Sequence, residues 1–146
     1  MNPSQNCIKL IKSFEGCELK AYKCSAGHNT IGFGNTFYED GKKVKEGDVI
    51  TKERAESLLM NLLPKFSAIV NKNIKVTINQ NQFDSLVSYT WNTGGSDTLF
   101  RLINKNAPEP EIRTWFETKY ITANGKVENG LIRRRKAEAD LYFKKD

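Results

Sequence analysis

Glu15 stands out among the 17 acidic residues because of where it falls. It follows apolar Phe14 and precedes Gly16 at the end of a stretch with helical spacing, where it is expected to face the glycine-rich segment that follows. A carboxyl in such a partly desolvated setting would favour its protonated form and could serve as a general acid. Cleavage of a glycosidic bond is one reaction with that need, since it commonly takes one protonated carboxylic acid and a second group that activates water. By residue physics alone, a solvated surface acid is the commoner case. Other reactive types are sparse. His28 is the only histidine, and Cys7, Cys17 and Cys24 show neither the even count of a disulfide framework nor the Cys-x-x-Cys spacing of a metal site. A lone thiol is usually a small hydrophobe. Thr30 lies where a strand is expected, which suits threonine without any further role.

The elements that must position Glu15 follow from apolar spacing. Cys7, Ile8, Ile11 and Phe14 predict a first helix, begun by Ser4 or Asn6 and ending near Gly16. Ser25-Ala26-Gly27-His28 reads as a turn with His28 at a hairpin tip, and 30–37 as a strand among glycines. Thr51 is suited to cap a long helix whose stripe is Ala55, Leu58, Leu59, Leu62, Leu63 and Phe66; Pro64 falls inside it and should kink or break it. Asn79 with Gln82 resembles a capping box for a helix that turns Phe83, Leu86, Val87 and Trp91 inward and ends at Gly94-Gly95. Helices are expected over about 97–104, 108–120 and 129–143. The fold class is therefore α+β: one domain over 1–146, with a small β lobe over about 17–50 and a helical lobe over about 51–146 plus the N-terminal helix. A cleft between the lobes would suit an extended substrate.

Composition narrows the partners. With 38% hydrophobic and 27% charged residues the chain is an ordinary globular one and not disordered. A net charge of +6 favours anionic partners, among them nucleic acid, anionic lipid and the bacterial cell wall. The run Arg133-Arg134-Arg135-Lys136, followed by Glu138 and Asp140, reads as a solvated helix face. No zinc-finger, ribonucleoprotein or helix-turn-helix pattern supports a nucleic-acid binder. Residues 1–13 hold no apolar run long enough for a signal peptide or membrane anchor, so synthesis in the cytoplasm without stable membrane insertion is expected.

Four ordered blocks carry a resemblance over nearly the whole chain. Glu15-Gly16-Cys17-Glu18-Leu19-Lys20-Ala21-Tyr22 is similar to the E-G-x-x-L-x-A-Y signature of phage-type lysozymes of glycoside hydrolase family 24. Gly27-His28-Asn29-Thr30-Ile31-Gly32-Phe33-Gly34 resembles that family's G-x-x-T-I-G-[YF]-G. Downstream, Gln82-Phe83-Asp84-Ser85-Leu86-Val87-Ser88 with Trp91-Asn92-Thr93-Gly94, and then Gly130-Leu131-Ile132-Arg133-Arg134-Arg135-Lys136-Ala137-Glu138, resemble two further family blocks. The resemblance implies a lysozyme-like fold and an endolysin that cleaves the β-1,4 bond between N-acetylmuramic acid and N-acetylglucosamine in peptidoglycan, lysing the host cell.

The family site holds a Glu, an Asp and a Thr. The Glu protonates the leaving oxygen while the Asp and Thr hold and activate water from the other face, inverting the anomeric centre. Glu15 matches the Glu and Thr30 the Thr, but the Asp position is Cys24. A free thiol has a pKa of about 8.5 against about 3.9 for Asp, so it serves as a base only where its pKa is lowered, here by Lys23 or Arg134. Cys24 then acts as base, attacks the sugar itself, or is inert. Two alternatives stay open: a lytic transglycosylase, whose substrate's own 6-hydroxyl replaces water and leaves 1,6-anhydro ends, and a lysozyme-fold protein that binds the wall without cutting it. The resemblance further places Arg134 beside Glu15 and Asn92 on the glycan, while His28 at the hairpin tip is expected to line the cleft mouth. Trp91, Cys7 and Cys17 are expected to be packing residues, and a disulfide at Cys24 would block any thiol role. The expected partners are peptidoglycan glycan strands, with no nucleic acid, no cofactor, no metal and a monomeric chain. The expected location is the host cytoplasm until release through a phage-made membrane lesion, and then the periplasm and wall.

Overall fold

Ser4 opens the first helix by accepting a hydrogen bond from the Asn6 amide, and Gly16, at φ +66°, closes it. This helix, α1 (Gln5–Glu15), buries Cys7, Ile8 and Ile11 and leaves Glu15 as its last residue. The computed structural model describes residues 1–24 and 26–145. The Ser4 amide and hydroxyl both donate to the Asp84 carboxylate, which ties the start of α1 to a later helix.

Strands β1 (Glu18–Lys23) and β2 (Asn29–Gly32) pair antiparallel, with Tyr22 opposite Thr30. The Cys24 amide donates to the His28 carbonyl at 2.9 Å, and the Gly27 amide to the Cys24 carbonyl at 2.8 Å, so the turn places Cys24 beside the head of β2. Ser25, part of the expected turn, lies outside the described residues. The strand expected over 30–37 stops at Gly32. Gly32 (φ +64°) and Gly34 (φ +81°) reverse the chain, so that Ile31 pairs with Asn35 in a tight loop. On its outer edge β1 is bridged at Lys20 by Val49.

Helix α2 (Lys52–Asn73) is capped by Thr51 and buries the expected stripe from Ala55 to Leu63. It passes through Pro64 as one helix, so the proline does not break it. Proline leaves the carbonyl four residues earlier without its helical donor, and here both Pro64 and Met60 are exposed, where water can replace that bond. The next helix, α3 (Gln80–Thr93), carries the expected capping box of Asn79 and Gln82 and ends at Gly94 in the left-handed conformation. Helices α4 (Asp97–Asn104), α5 (Glu109–Thr118) and α6 (Asn129–Tyr142) follow. Between the last two lies a hairpin that the sequence reading passed over, β3 (Thr122–Ala123) against β4 (Lys126–Val127). Its turn residues Asn124 (φ 54°) and Gly125 (φ 76°) form the Asn-Gly turn that suits a two-residue hairpin loop.

The architecture is α+β: the described residues form six helices and two small two-stranded sheets. One hydrophobic cluster joins Ile31, Phe33 and Val44 of the hairpin side to Leu58, Leu86, Phe116 and Tyr142 of the helices. The run at 133–136 is not a solvated face. Arg134 and Arg135 are buried together with Glu138, and only Arg133 and Lys136 face solvent. Spacing explains this, since positions 134, 135, 138, 139 and 142 share the side of α6 that packs on α3.

Candidate active site

The end of α1, the β1–β2 hairpin, the C-terminal half of α3 and the β3–β4 hairpin enclose a cleft of about 460 Å³. Its lining brings together Glu15, Cys24, His28, Thr30 and Asn92. Arg134 stands behind Glu15 and lines a second depression on the far side of that carboxylate.

Glu15 is held on two sides. Arg134 Nη1 lies 2.9 Å from its Oε2, and the Glu15 side chain keeps 15% of its exposure. From the hairpin, Gly34 leaves the space the carboxylate occupies: a Cβ built there would lie 2.5 Å from Oε1. Glycine is thus required at 34 both by its positive φ and by the close approach of Glu15.

The guanidinium of Arg134 is itself fixed. Its Nε lies 3.2 Å from Glu138 Oε2, and its Nη2 donates to the Ser88 carbonyl at 3.1 Å. Glu138 is fully buried; it accepts from Ser88 Oγ at 2.7 Å and meets Arg135 Nε at 3.0 Å. Burial pushes the Glu138 carboxyl up, while Arg135, Arg134 and Ser88 act against that rise. Arg135 extends over the Tyr89 ring and donates from Nη2 to Asn92 Oδ1 at 2.7 Å. Asn92 is thereby oriented at the cleft edge.

On the hairpin wall, Cys24 is a free thiol, as are Cys7 and Cys17. Partial burial pushes the Cys24 thiol up, but the His28 backbone, the Thr30 hydroxyl and the backbone amides of Ala26 and Cys24 itself outweigh it, and the net effect is a lowered pKa. The leading causes of lowering are hydrogen bonds, not the Lys23 or Arg134 charges expected from the sequence. Thr30 is 3% exposed and donates to the His28 carbonyl at 3.0 Å. Tyr22 projects into the same space, where burial and then the negative charge of Glu15 raise its pKa.

His28 is exposed at the cleft mouth. Trp91 is 7% exposed, donates from Nε1 to the Phe33 carbonyl at 2.9 Å and packs at a tilt against Phe66 with centroids 4.9 Å apart, so it joins the two walls as a core residue. Cys7 is buried as expected, but Cys17 is exposed and packs no core, because it falls between the end of α1 and β1. Tyr120, Thr122 and Ala123 of the second hairpin region also line the cleft, and sequence reading missed them; the Asn124-Gly125 pair was the available signal. Among the described residues no cluster of His, Cys, Asp and Glu could hold a metal ion.

Comparison with known proteins gives one family. The family described as Phage lysozyme matches residues 12–138. An endolysin from Acyrthosiphon pisum secondary endosymbiont phage 1 is 37% identical over 97% of this chain and 98% of its own length. An endolysin from Bacillus phage B103 is 39% identical over 98% of this chain, which spans 54% of that longer protein. Among solved structures, an endolysin from Escherichia coli O157:H7 phage FAHEc1 superposes with a TM-score of 0.80 at 42% identity, covering 98% of this chain and 94% of that one.

Proposed function

Because this chain belongs to the phage lysozyme family, we propose that Glu15, Cys24 and Thr30 form the catalytic site of an enzyme that cuts peptidoglycan. The enzyme is a glycoside hydrolase of the endolysin type. The bond assigned to it is the β-1,4 link between N-acetylmuramic acid and N-acetylglucosamine. The observation that carries the assignment is the shared cleft, in which an ion-paired carboxyl on a helix end and a thiol and hydroxyl on a hairpin line the same space.

In the reaction, Glu15 gives its proton to the glycosidic oxygen, and that bond breaks as the leaving sugar departs. A water held by the Thr30 hydroxyl and the Cys24 thiolate attacks the anomeric carbon from the opposite face. Its proton passes to the thiolate, and the configuration inverts. Proton exchange with solvent returns Glu15 to the acid and Cys24 to the thiolate. The hydrogen bonds that lower the thiol's pKa support this role, since a base must be partly ionised near neutral pH. Asn92, oriented by Arg135, binds the glycan, and His28 at the mouth contacts it farther out.

No helix among the described residues is long and apolar enough to cross a membrane. The net charge of +6 draws the enzyme to an anionic wall, which it reaches through a lesion made by another phage product.

The test is mass spectrometry of fragments released from purified peptidoglycan. Reducing N-acetylmuramic acid ends are expected. Anhydro ends would replace hydrolysis by transglycosylation, and absence of fragments in reducing buffer would leave only a wall-binding role.

A further inference from the structure

Glu138 touches neither the cleft nor its mouth, yet both functional arms of the helical wall end on it. Its Oε2 meets Arg134 Nε at 3.2 Å, and Arg134 continues to Glu15 at 2.9 Å. Its Oε1 meets Arg135 Nε at 3.0 Å, and Arg135 continues to Asn92 at 2.7 Å. Ser88 Oγ fixes the carboxylate from α3 at 2.7 Å, and the Ser85 hydroxyl fixes the Glu138 backbone carbonyl at 2.6 Å.

We infer that Glu138 is a positioning residue that couples the acid to the glycan-binding amide, holding Glu15 and Asn92 in register from one buried anchor. The inference rests on the assignment of Glu15 as acid and Asn92 as glycan contact. Two guanidiniums side by side repel, and each must still present an N–H group to a different residue. A single carboxylate between them cancels that repulsion: it accepts a hydrogen bond from Arg134 Nε, and it holds Arg135 Nε by charge at 3.0 Å without a hydrogen bond, so that the Arg135 guanidinium is directed by its hydrogen bond from Nη2 to Asn92. Burial removes water as an alternative partner: Arg135 and Glu138 are fully buried and Arg134 is 3% exposed. A shift at Glu138 therefore reaches both Glu15 and Asn92. A purely structural ion pair would stabilise α6 against α3 without linking turnover to binding.

The test measures kcat and KM on soluble peptidoglycan fragments, together with Tm, for Glu138→Gln, Asn92→Ala and the double variant. Asn92→Ala is expected to raise KM with kcat nearly unchanged. Glu138→Gln, which keeps shape but loses the charge, is expected to lower kcat about tenfold and raise KM at the same time. In the double variant the further rise in KM from Asn92→Ala should shrink to about twofold or less, because Asn92 is already released. A Glu138→Gln variant that loses Tm but keeps wild-type kcat and KM would overturn the inference, as would KM effects that multiply in full. If Glu138→Gln does not fold, Ser88→Ala, which removes one donor to the carboxylate, must lower kcat in the same direction, and an unchanged kcat overturns the inference equally. Glu15→Gln run in parallel separates the two failures: activity in that variant defeats the site assignment, whereas its inactivity beside an unaffected Glu138→Gln defeats only the role of Glu138.

Discussion

The two walls of the cleft fix their functional groups by different physics. On the helical wall, Glu15 and Asn92 are held by charges taken out of water, with Arg134, Arg135 and Glu138 packed between α3 and α6. On the hairpin wall, Cys24 and Thr30 are held by backbone turns and neutral hydrogen bonds near the surface. The helical wall is rigid and unforgiving, since removing one member of a buried ion pair typically costs about 3–5 kcal/mol. The hairpin wall is tolerant, because a turn residue exchanged at the surface leaves no charge stranded. A general acid has to sit against a particular oxygen, and a water-activating group has more latitude, which agrees with the proposed placement of the acid on the rigid wall.

That contrast can be broken or sharpened by substitution. The largest effect on activity is expected for Glu15→Gln, which should lower turnover of purified peptidoglycan on the order of 10³-fold. Lysis at the parental rate would remove Glu15 from the mechanism. Next comes Arg134→Met, which strands Glu138 beside one guanidinium and should destabilise the fold by about 3–5 kcal/mol in urea unfolding. A loss under about 1 kcal/mol would mean that the helical wall is not the rigid one.

Cys24→Ser should lower turnover by roughly 10–100-fold, whereas Cys24→Asp should keep or raise it. The pH profile gives the sign. In the proposed mechanism activity needs the thiolate, so it should fall as pH drops through the thiol's pKa, and because that pKa is lowered from 9.0 the limb should lie below pH 9.0. In Cys24→Asp the limb should move toward about pH 3.9. A profile that does not move would show that Cys24 takes no proton.

Gly34→Ala should cost about 1–2 kcal/mol of stability through its positive φ, and it should lower kcat because the new methyl displaces Glu15. A crystal structure with Glu15 unmoved would contradict the close approach. The smallest effect is expected at Cys17, exposed and outside the cleft, where Cys17→Ser should change stability by less than about 0.5 kcal/mol and leave turnover as it was.

Local chemistry made much of this molecule legible in its sequence. Ser4, Thr51 and the Asn79–Gln82 pair cap the helices they were expected to cap, because capping is decided within one turn of chain. The α+β class followed from helical spacing around a glycine-rich segment, and the likeness of four ordered blocks pointed to the family. Where long-range contact overrides local preference, sequence reading failed. Pro64 does not break α2 because that helix turns it outward, and the strand expected over 30–37 gives way at Gly32 to a loop shaped around Glu15. The arginine run looked like a solvated face because charge normally stays in water. Only the packing of α6 on α3 made it cheaper to bury Arg134 and Arg135 around Glu138 than to expose them. The sequence by itself determined the helices and the reactive residue types, since those depend on neighbours along the chain. Tertiary structure alone decided which groups face one another across the cleft and what lowers the Cys24 thiol, because both depend on partners remote in sequence or on the way a turn folds back.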